Sequence, residues 1–446
     1  MGDLGGQVGA PALSAVFVVG TRPEAIKMLP VIRAFSDSAH FRAIVVSTGQ
    51  HTELVADVLA LGGIRPDVTF PPGAPGRTLN RLFADVLEGM SAMFESLGPG
   101  RPSNYGAPPD GYPVACFVHG DTSSAAAAAL AAFHSRVPVI HIEAGLRTDD
   151  TLSPFPEELN RQLISRIAAL HLAPTFRNEE NLVREGIPEG KVFVSGNTAI
   201  DALLFAAELP VPYGVPALDD LEDDDGPRLV VVTAHRRENW GEPLERIATA
   251  VGVLAAQYPD VRYVAPLHPN PAVQEVMRRH LKGRPNVSLV PAMDYVRFAR
   301  LLGRSTFVIS DSGGIQEEAP ALGKPVLVLR ESTERQEGVE AGTVELVGSD
   351  VDRIVASAAL LLDDPFEYAR RSSTSNPYGD GHASERILRV CEHIVFGSAP
   401  PQQFGPGVDR MEVLRGAGYL EDTAGSFEWP SGRDGLAEGL GGVVDD

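Results

Sequence analysis

Cysteine is nearly absent: the 446-residue chain has two, Cys116 and Cys391. That argues against a disulfide framework and fits a cytoplasmic compartment. Positive charge is also scarce, since 38 Lys and Arg against 59 Asp and Glu give a formal net charge of −21. So acidic a surface would repel a polyanion, which argues against nucleic acid as a partner. No apolar run reaches about 18 residues, the length of a membrane span. The glycine-rich first twelve residues have neither a basic start nor an apolar signal core. There is no H-E-x-x-H and no C-x-x-C, so no metal site is expected. No internal repeat suggests a solenoid.

What is present is a globular composition. Apolar residues make up 43% and the mean hydropathy is −0.02. The length allows two domains with sizeable cores. Short β-rich runs alternate with helical stretches. One series is Ala15–Val19, Ala43–Thr48, Val114–Val118, Val137–Ile142, Leu170–Ala173 and Val192–Ser195. A second is Leu229–Thr233, Val261–Leu267, Val287–Val290, Phe307–Ser310, Val326–Leu329 and Glu345–Val347. This pattern predicts βαβ units in parallel sheets, and two series predict two doubly wound, Rossmann-like α/β domains. We expect them over 13–196 and 197–382, after a flexible N-terminus at 1–12. Leu209–Pro227, rich in proline and acidic residues, reads as an exposed linker or loop, or as an insertion within the second domain if the crossover lies near Gly196-Asn197-Thr198, and Gly98–Pro113 reads as a surface loop. Residues 397–446 read as a mostly flexible acidic and glycine-rich tail with a short helix near Met411–Tyr419. The alanine run Ala125–Ala132 reads as a helix packed tightly on its sheet, and Cys116 as a buried thiol.

Three strands end in charged or glycine-rich turns: Gly20-Thr21-Arg22-Pro23-Glu24, Ala234-His235-Arg236-Arg237-Glu238 and Asp311-Ser312-Gly313-Gly314. Open α/β sheets bind ligands outside the carboxyl ends of their strands. Helix N-termini there offer free N–H groups to phosphate. Arg22 and Lys27 could face such a phosphate, although ordinary surface charge around a βα turn explains them equally well. The spacing is not G-x-G-x-x-G, so a dinucleotide is not indicated. Ser312 could be a plain cap, but Gly313 and Gly314 weaken a first turn and so point to close approach of a ligand. Glu318, four residues after Gly314, shares its helix face and could accept hydrogen bonds from ribose hydroxyls. Asp121 and Glu143 follow successive strands and should stand at one sheet edge, as acid and base groups would. Glu157 falls where a helix begins, and on spacing alone it reads as a helix-start carboxylate. His235 ends a strand, where it could donate to phosphate or move a proton. His171, inside Leu170–Ala173, reads as a satisfied core residue.

Taken together the motifs resemble the non-hydrolysing UDP-N-acetylglucosamine 2-epimerases of bacteria, over about 15–395. The matching stretches are Gly20–Lys27, Thr48–His51, His119–Thr122, Glu143–Thr148 and Pro156–Arg161. They continue with His235–Glu238, Asp311–Glu318 and Asn376–Gly381. The resemblance implies the GT-B architecture, with the active site in the cleft between two Rossmann-like domains and a final helix near 383–396 completing the first. It implies interconversion of UDP-GlcNAc and UDP-ManNAc with no cofactor, through loss of UDP to a 2-acetamidoglucal and re-addition. It makes Asp121, Glu143 and Glu157 acid/base carboxylates and His235 a catalytic or diphosphate-contacting residue. Arg22, Lys27, Ser312, Gly313, Gly314 and Arg335 match diphosphate-side positions, Glu318 the ribose ligand and Phe298 an aromatic near uracil. Arg147 and Arg161 would support the substrate side. A homodimer is implied as well. Gln336 after Arg335, and Thr52-Glu53 after Gln50-His51, depart from the family pattern.

Overall fold

Strands such as Ala115–His119 are buried at every position, so both faces of their sheets are covered by helices. The structure is a computed structural model and describes residues 12–405, apart from 75, 99–110, 149, 223–225 and 334. It divides into two units, one of residues 1–198 with 382–446, the other Ala199–Gly381.

The first unit runs β1 (Leu13–Val19), α1 (Arg22–Asp37), β2 (Phe41–Ser47), α2 (Thr52–Leu61) and β3 (Val68–Thr69). It continues through α3 (Leu79–Ser96), β4 (Ala115–His119), α4 (Ser123–His134), β5 (Val139–Ile142) and α5 (Glu157–Ile167). Then come β6 (Leu170–Ala173), α6 (Phe176–Arg184) and β7 (Val192–Val194). Its parallel sheet has the order β3-β2-β1-β4-β5-β6-β7. The chain therefore reverses direction across the sheet between β1 and β4, the switch point where a crevice opens. The alanine run of α4 is fully buried, because methyl side chains let α3 and α5 crowd it against the sheet.

The second unit opens with α7 (Thr198–Glu208), β8 (Leu229–Thr233), α8 (Glu242–Gln257), β9 (Arg262–Leu267) and α9 (Pro271–Leu281). It proceeds through β10 (Val287–Pro291), α10 (Tyr295–Arg304), β11 (Phe307–Ser310), α11 (Gly313–Ala321) and β12 (Val326–Val328). It closes with α12 (Gln336–Ala341), β13 (Val344–Leu346), α13 (Val351–Asp363) and α14 (Pro365–Ser372). Its parallel sheet, β10-β9-β8-β11-β12-β13, has its own switch point between β8 and β11. Helix α15 (Ala383–Phe396) belongs to the first unit, where Glu392 meets His40 at 2.8 Å and Phe396 packs on Phe41.

One expectation needs correction. The 209–227 segment is not an exposed linker: Tyr213, Leu218 and Leu221 are buried in the second unit's core, and Arg300 reaches Val211 O and Glu222. Its apolar side chains outweigh its acidic content. Of the expected tail, residues 397–405 are described, and two of them bind β7. Val194 N donates to Gln403 Oε1 and Phe404 N to Val194 O, both at 2.8 Å, because β7 is an edge strand with unpaired groups to satisfy. The helix expected near Met411–Tyr419 and the N-terminal residues 1–11 lie outside the described residues. Among the described residues no helix is long and apolar enough to cross a membrane, and no cluster could hold a metal ion.

Candidate functional site

At the first switch point, Glu24 organises the turn after β1. This carboxylate is 4% exposed, and its Oε2 accepts from Gly20 N (3.0 Å), Thr21 N (2.6 Å) and Thr21 Oγ1 (2.9 Å). Its Oε1 accepts from Thr122 Oγ1 at 2.6 Å, and Thr122 in turn caps α4. One side chain thus ties the turn bearing Arg22 to the turn bearing Asp121. Burial pushes its carboxyl above the usual range in spite of these bonds. The sequence signal is a capping box, Thr21 with Glu24 three residues on.

Asp121 follows β4. Arg161 of α5 binds its Oδ2 at 2.6 and 2.8 Å, and Asn160 Nδ2 holds its main-chain carbonyl at 2.8 Å. Burial raises the Asp121 carboxyl, with Arg161 opposing and the charge of Glu143 adding to the rise. Glu143 follows β5 with φ 62°, a left-handed conformation rare for a residue with a side chain. Such strain is held in place only by its surroundings and collects at functional positions. Gly120 (φ 62°) leaves room beside it, since a Cβ there would lie 3.3 Å from Glu143 Oε2. Lys27 Nζ sits 2.5 Å from Glu143 Oε1, and His119 Nδ1 lies 3.5 Å from Oε2. Burial alone would raise Glu143, but Lys27 and His119 dominate and bring it down to about 2. Lys27 is thus a counter-ion of Glu143.

Glu157 is the first residue of α5, and its Oε2 is buried with no hydrogen-bond partner. The next carboxylate is occupied: Glu158, 0% exposed, takes Arg161 Nη1 at 2.8 Å and Thr148 N and Oγ1 at 3.2 Å. Arg22 begins α1 and makes no ion pair among the described residues. Arg147 is engaged within the first unit. Its side chain is 4% exposed and bonded to Glu185 (2.6 Å) and Ser165 (2.8 Å), because a carboxylate 38 residues away in sequence lies beside it. Arg161 acts on Asp121 and Glu158. Behind the carboxylates, burial lowers His119 to about 3, His141 to about 4 and His171 to about 3. His141 Nε2 pairs with Gly120 O at 2.7 Å. His171 is not the satisfied core residue expected, for neither ring nitrogen has a partner.

The second switch point centres on Asp311, which is fully buried. It accepts from His235 N and Arg236 N, each at 2.8 Å, and from Asn239 Nδ2 at 3.0 Å, while His235 Nδ1 stands 3.0 Å away. Burial would raise Asp311, but these donors lower it. Ser312 is the N-cap of α11 without a side-chain cap bond, so its hydroxyl is not used up by the helix. Gly313 lets Arg335 lie across the turn, because a Cβ would fall 2.9 Å from Arg335 Nη1. Arg335 is held by Glu317 at 2.7 Å. A Cβ on Gly314 would sit 3.9 Å from Glu318. Glu318 in turn bears on Tyr295, whose buried, unpartnered hydroxyl is raised by burial and then by that charge. Phe298, three residues along α10, is half-buried against the same core as Ile315 of α11. His235, Ser312, Gly313 and Gly314 thus lie at the adjoining ends of β8 and β11, with Glu318 on α11 and Arg335 against Gly313. Asp311, which opens the motif, is the buried carboxylate that ties the turn after β8 to the end of β11.

A family model described as UDP-N-acetylglucosamine 2-epimerase matches residues 33–392. The UDP-N-acetylglucosamine 2-epimerase of Yersinia pestis is 41% identical over 390 residues, covering 85% of this chain and 99% of that protein. The Escherichia coli (strain K12) protein of the same name gives the same identity and coverage, 41%, 85% and 99%. Among solved structures, the Neisseria meningitidis UDP-GlcNAc 2-epimerase bound to UDP-GlcNAc aligns with a TM-score of 0.76 and 39% identity, covering 85% of this chain and 99% of that one. The Methanocaldococcus jannaschii UDP-GlcNAc 2-epimerase aligns at 0.73 and 28%, covering 85% and 100%.

Proposed function

The chain belongs to the UDP-N-acetylglucosamine 2-epimerase family, and from that premise we propose that it interconverts UDP-GlcNAc and UDP-ManNAc by eliminating and re-adding UDP. The hydrogen on carbon 2 is a poor acid. Loosening the anomeric carbon–oxygen bond builds positive charge beside it and makes it removable. The observation that carries this reading is a pair of carboxylates at the ends of the adjacent strands β4 and β5 with different partners: Asp121, held by Arg161, is raised by burial, while Glu143, paired with Lys27, is brought down to about 2. Two such groups can act as acid and base at one pH. Glu143 stays anionic and steadies cationic sugar, Asp121 moves a proton, and the unpartnered Glu157 Oε2 accepts from the substrate.

In the second unit His235, the Ser312-Gly313-Gly314 turn and Arg335 hold the diphosphate, Glu318 the ribose and Phe298 the uracil. Arg22 of the first unit adds positive charge for the departing UDP. The same reading makes the protein a cytoplasmic, bacterial homodimer. Exposed apolar side chains on the 152–163 segment, Leu152 (72%), Phe155 (62%), Leu159 (44%) and Leu163 (47%), support a self-association face. Incubation with UDP-GlcNAc in deuterium oxide tests the chemistry. UDP-ManNAc should appear with one deuterium at carbon 2, without added nicotinamide. Protio product, or no new sugar nucleotide, would refute it; free ManNAc accumulating instead would indicate a hydrolase.

A further inference from the structure

We propose that Asp311 is the positioning residue of His235: it keeps the imidazole proton on Nδ1, so that Nε2 is the atom offered to the ligand. This rests on the diphosphate role given to the second unit above. The two oxygens of Asp311 have separate tasks. Oδ2 is saturated by the N–H groups of His235 and Arg236 and by Asn239 Nδ2, at 2.8, 2.8 and 3.0 Å. Oδ1 is buried and accepts no hydrogen bond among the described residues, and the nearest polar atom facing it is His235 Nδ1, 3.0 Å away but off hydrogen-bonding alignment. An ionised carboxylate only accepts, so the ring nitrogen facing it must carry hydrogen. Nε2 then accepts when the ring is neutral and donates when it is charged.

The rest of the environment keeps the ring in this pose. His268, just past β9, stacks on it with centroids 5.7 Å apart and planes at 16°. Trp240 Nε1 donates to His235 O at 3.2 Å, fixing the main chain after β8. Asp311 and His268 are the titratable groups facing the ring, with Arg236 next in the chain. Because β8 and β11 are paired in register up to Thr233 and Ser310, the carboxylate and the histidine leave adjacent strand ends together.

Asp311→Asn makes a specific prediction. The three donors on Oδ2 require an acceptor there, so the amide oxygen takes that place and the NH2 faces His235 Nδ1. The ring must then become an acceptor at Nδ1 and carry its proton on Nε2. Proton–nitrogen correlation on isotope-labelled protein reads both tautomers. The wild type should show Nδ1–H in its neutral form, and Asp311→Asn should show Nε2–H. Turnover of UDP-GlcNAc should fall by up to about 10⁴-fold, the loss that the wrong histidine tautomer causes in a Ser-His-Asp protease. Asn239→Ala loosens the same turn but leaves the carboxylate, so it should keep Nδ1–H and lose less than about tenfold. Nε2–H in the wild type, an unmoved tautomer in Asp311→Asn, or an equal turnover loss in Asn239→Ala would overturn the proposal. If Asp311→Asn does not fold, the wild-type tautomer decides. The tautomer is read without turnover, so a wild type inactive on UDP-GlcNAc would overturn the functional reading rather than this one.

Discussion

Lys27 Nζ and Glu143 Oε1 are 2.5 Å apart, and this contact keeps a strained, largely enclosed carboxylate ionised. Without the ammonium, burial would be opposed less, with His119 and Arg161 remaining, and Glu143 would rise. Lys27→Met should therefore move the acid limb of the kcat profile up, into about pH 5–7, and lower kcat at neutral pH by about 10–100-fold. A pH–rate series on UDP-GlcNAc checks this; an acid limb that stays put would show that the contact is only structural.

Asp121→Asn removes the proton-moving group but keeps its shape and an acceptor for Arg161. UDP binding should stay within about threefold while kcat drops at least about 10²-fold. Calorimetric titration with UDP beside a turnover assay separates the two effects. Wild-type turnover in this variant would remove Asp121 from the chemistry.

Two glycine substitutions should part company. An added Cβ at Gly313 meets only the end of the Arg335 side chain, at 2.9 Å, which can swing aside. Gly313→Ala should leave the melting temperature almost unchanged and weaken UDP binding. At Gly145, with φ 91°, the Cβ would lie 2.1 Å from the main-chain oxygen of Asn178. Gly145→Ala should cost about 3 kcal/mol or more, seen as a large fall in urea midpoint.

The buried histidines set an acid limit on stability. His119, His141 and His171 are lowered from 6.5 to about 3, 4 and 3, so all are neutral in the folded protein near pH 7. Below pH 6.5 the unfolded chain binds protons that the folded one refuses. Stability is thus full above that point and declines as pH falls toward the folded values, at up to about 1.4 kcal/mol per pH unit for each histidine. His171→Leu removes two unpartnered buried nitrogens, so it should flatten the slope and raise stability near neutrality by about 1 kcal/mol. Denaturant midpoints between pH 4 and 8 measure it; an unchanged slope would count against the assignment.

Much of the architecture was readable because strands buried on both faces are written as apolar runs; Leu170–Ala173, Leu229–Thr233 and Phe307–Ser310 have the same bounds in both accounts. Val68–Thr69 has too few residues to give a pattern and was missed. The strand-end residues were readable as motifs, but their partners were not. Arg147 goes to Glu185, and Asp311 serves a histidine 76 residues away, because strands remote in sequence lie side by side. The grip of Glu24 on Thr122 likewise depends on β1 lying next to β4.

Gln403 and Phe404 occupy the outer margin of β7, where the Phe404 ring also lies against Arg386 and beside Gly196. They do for this sheet what a lid does for a jar of glue. A chain cut after Gly397 would present bare amides and carbonyls to any neighbour, and its molecules should stick to one another well before their sugar chemistry suffers.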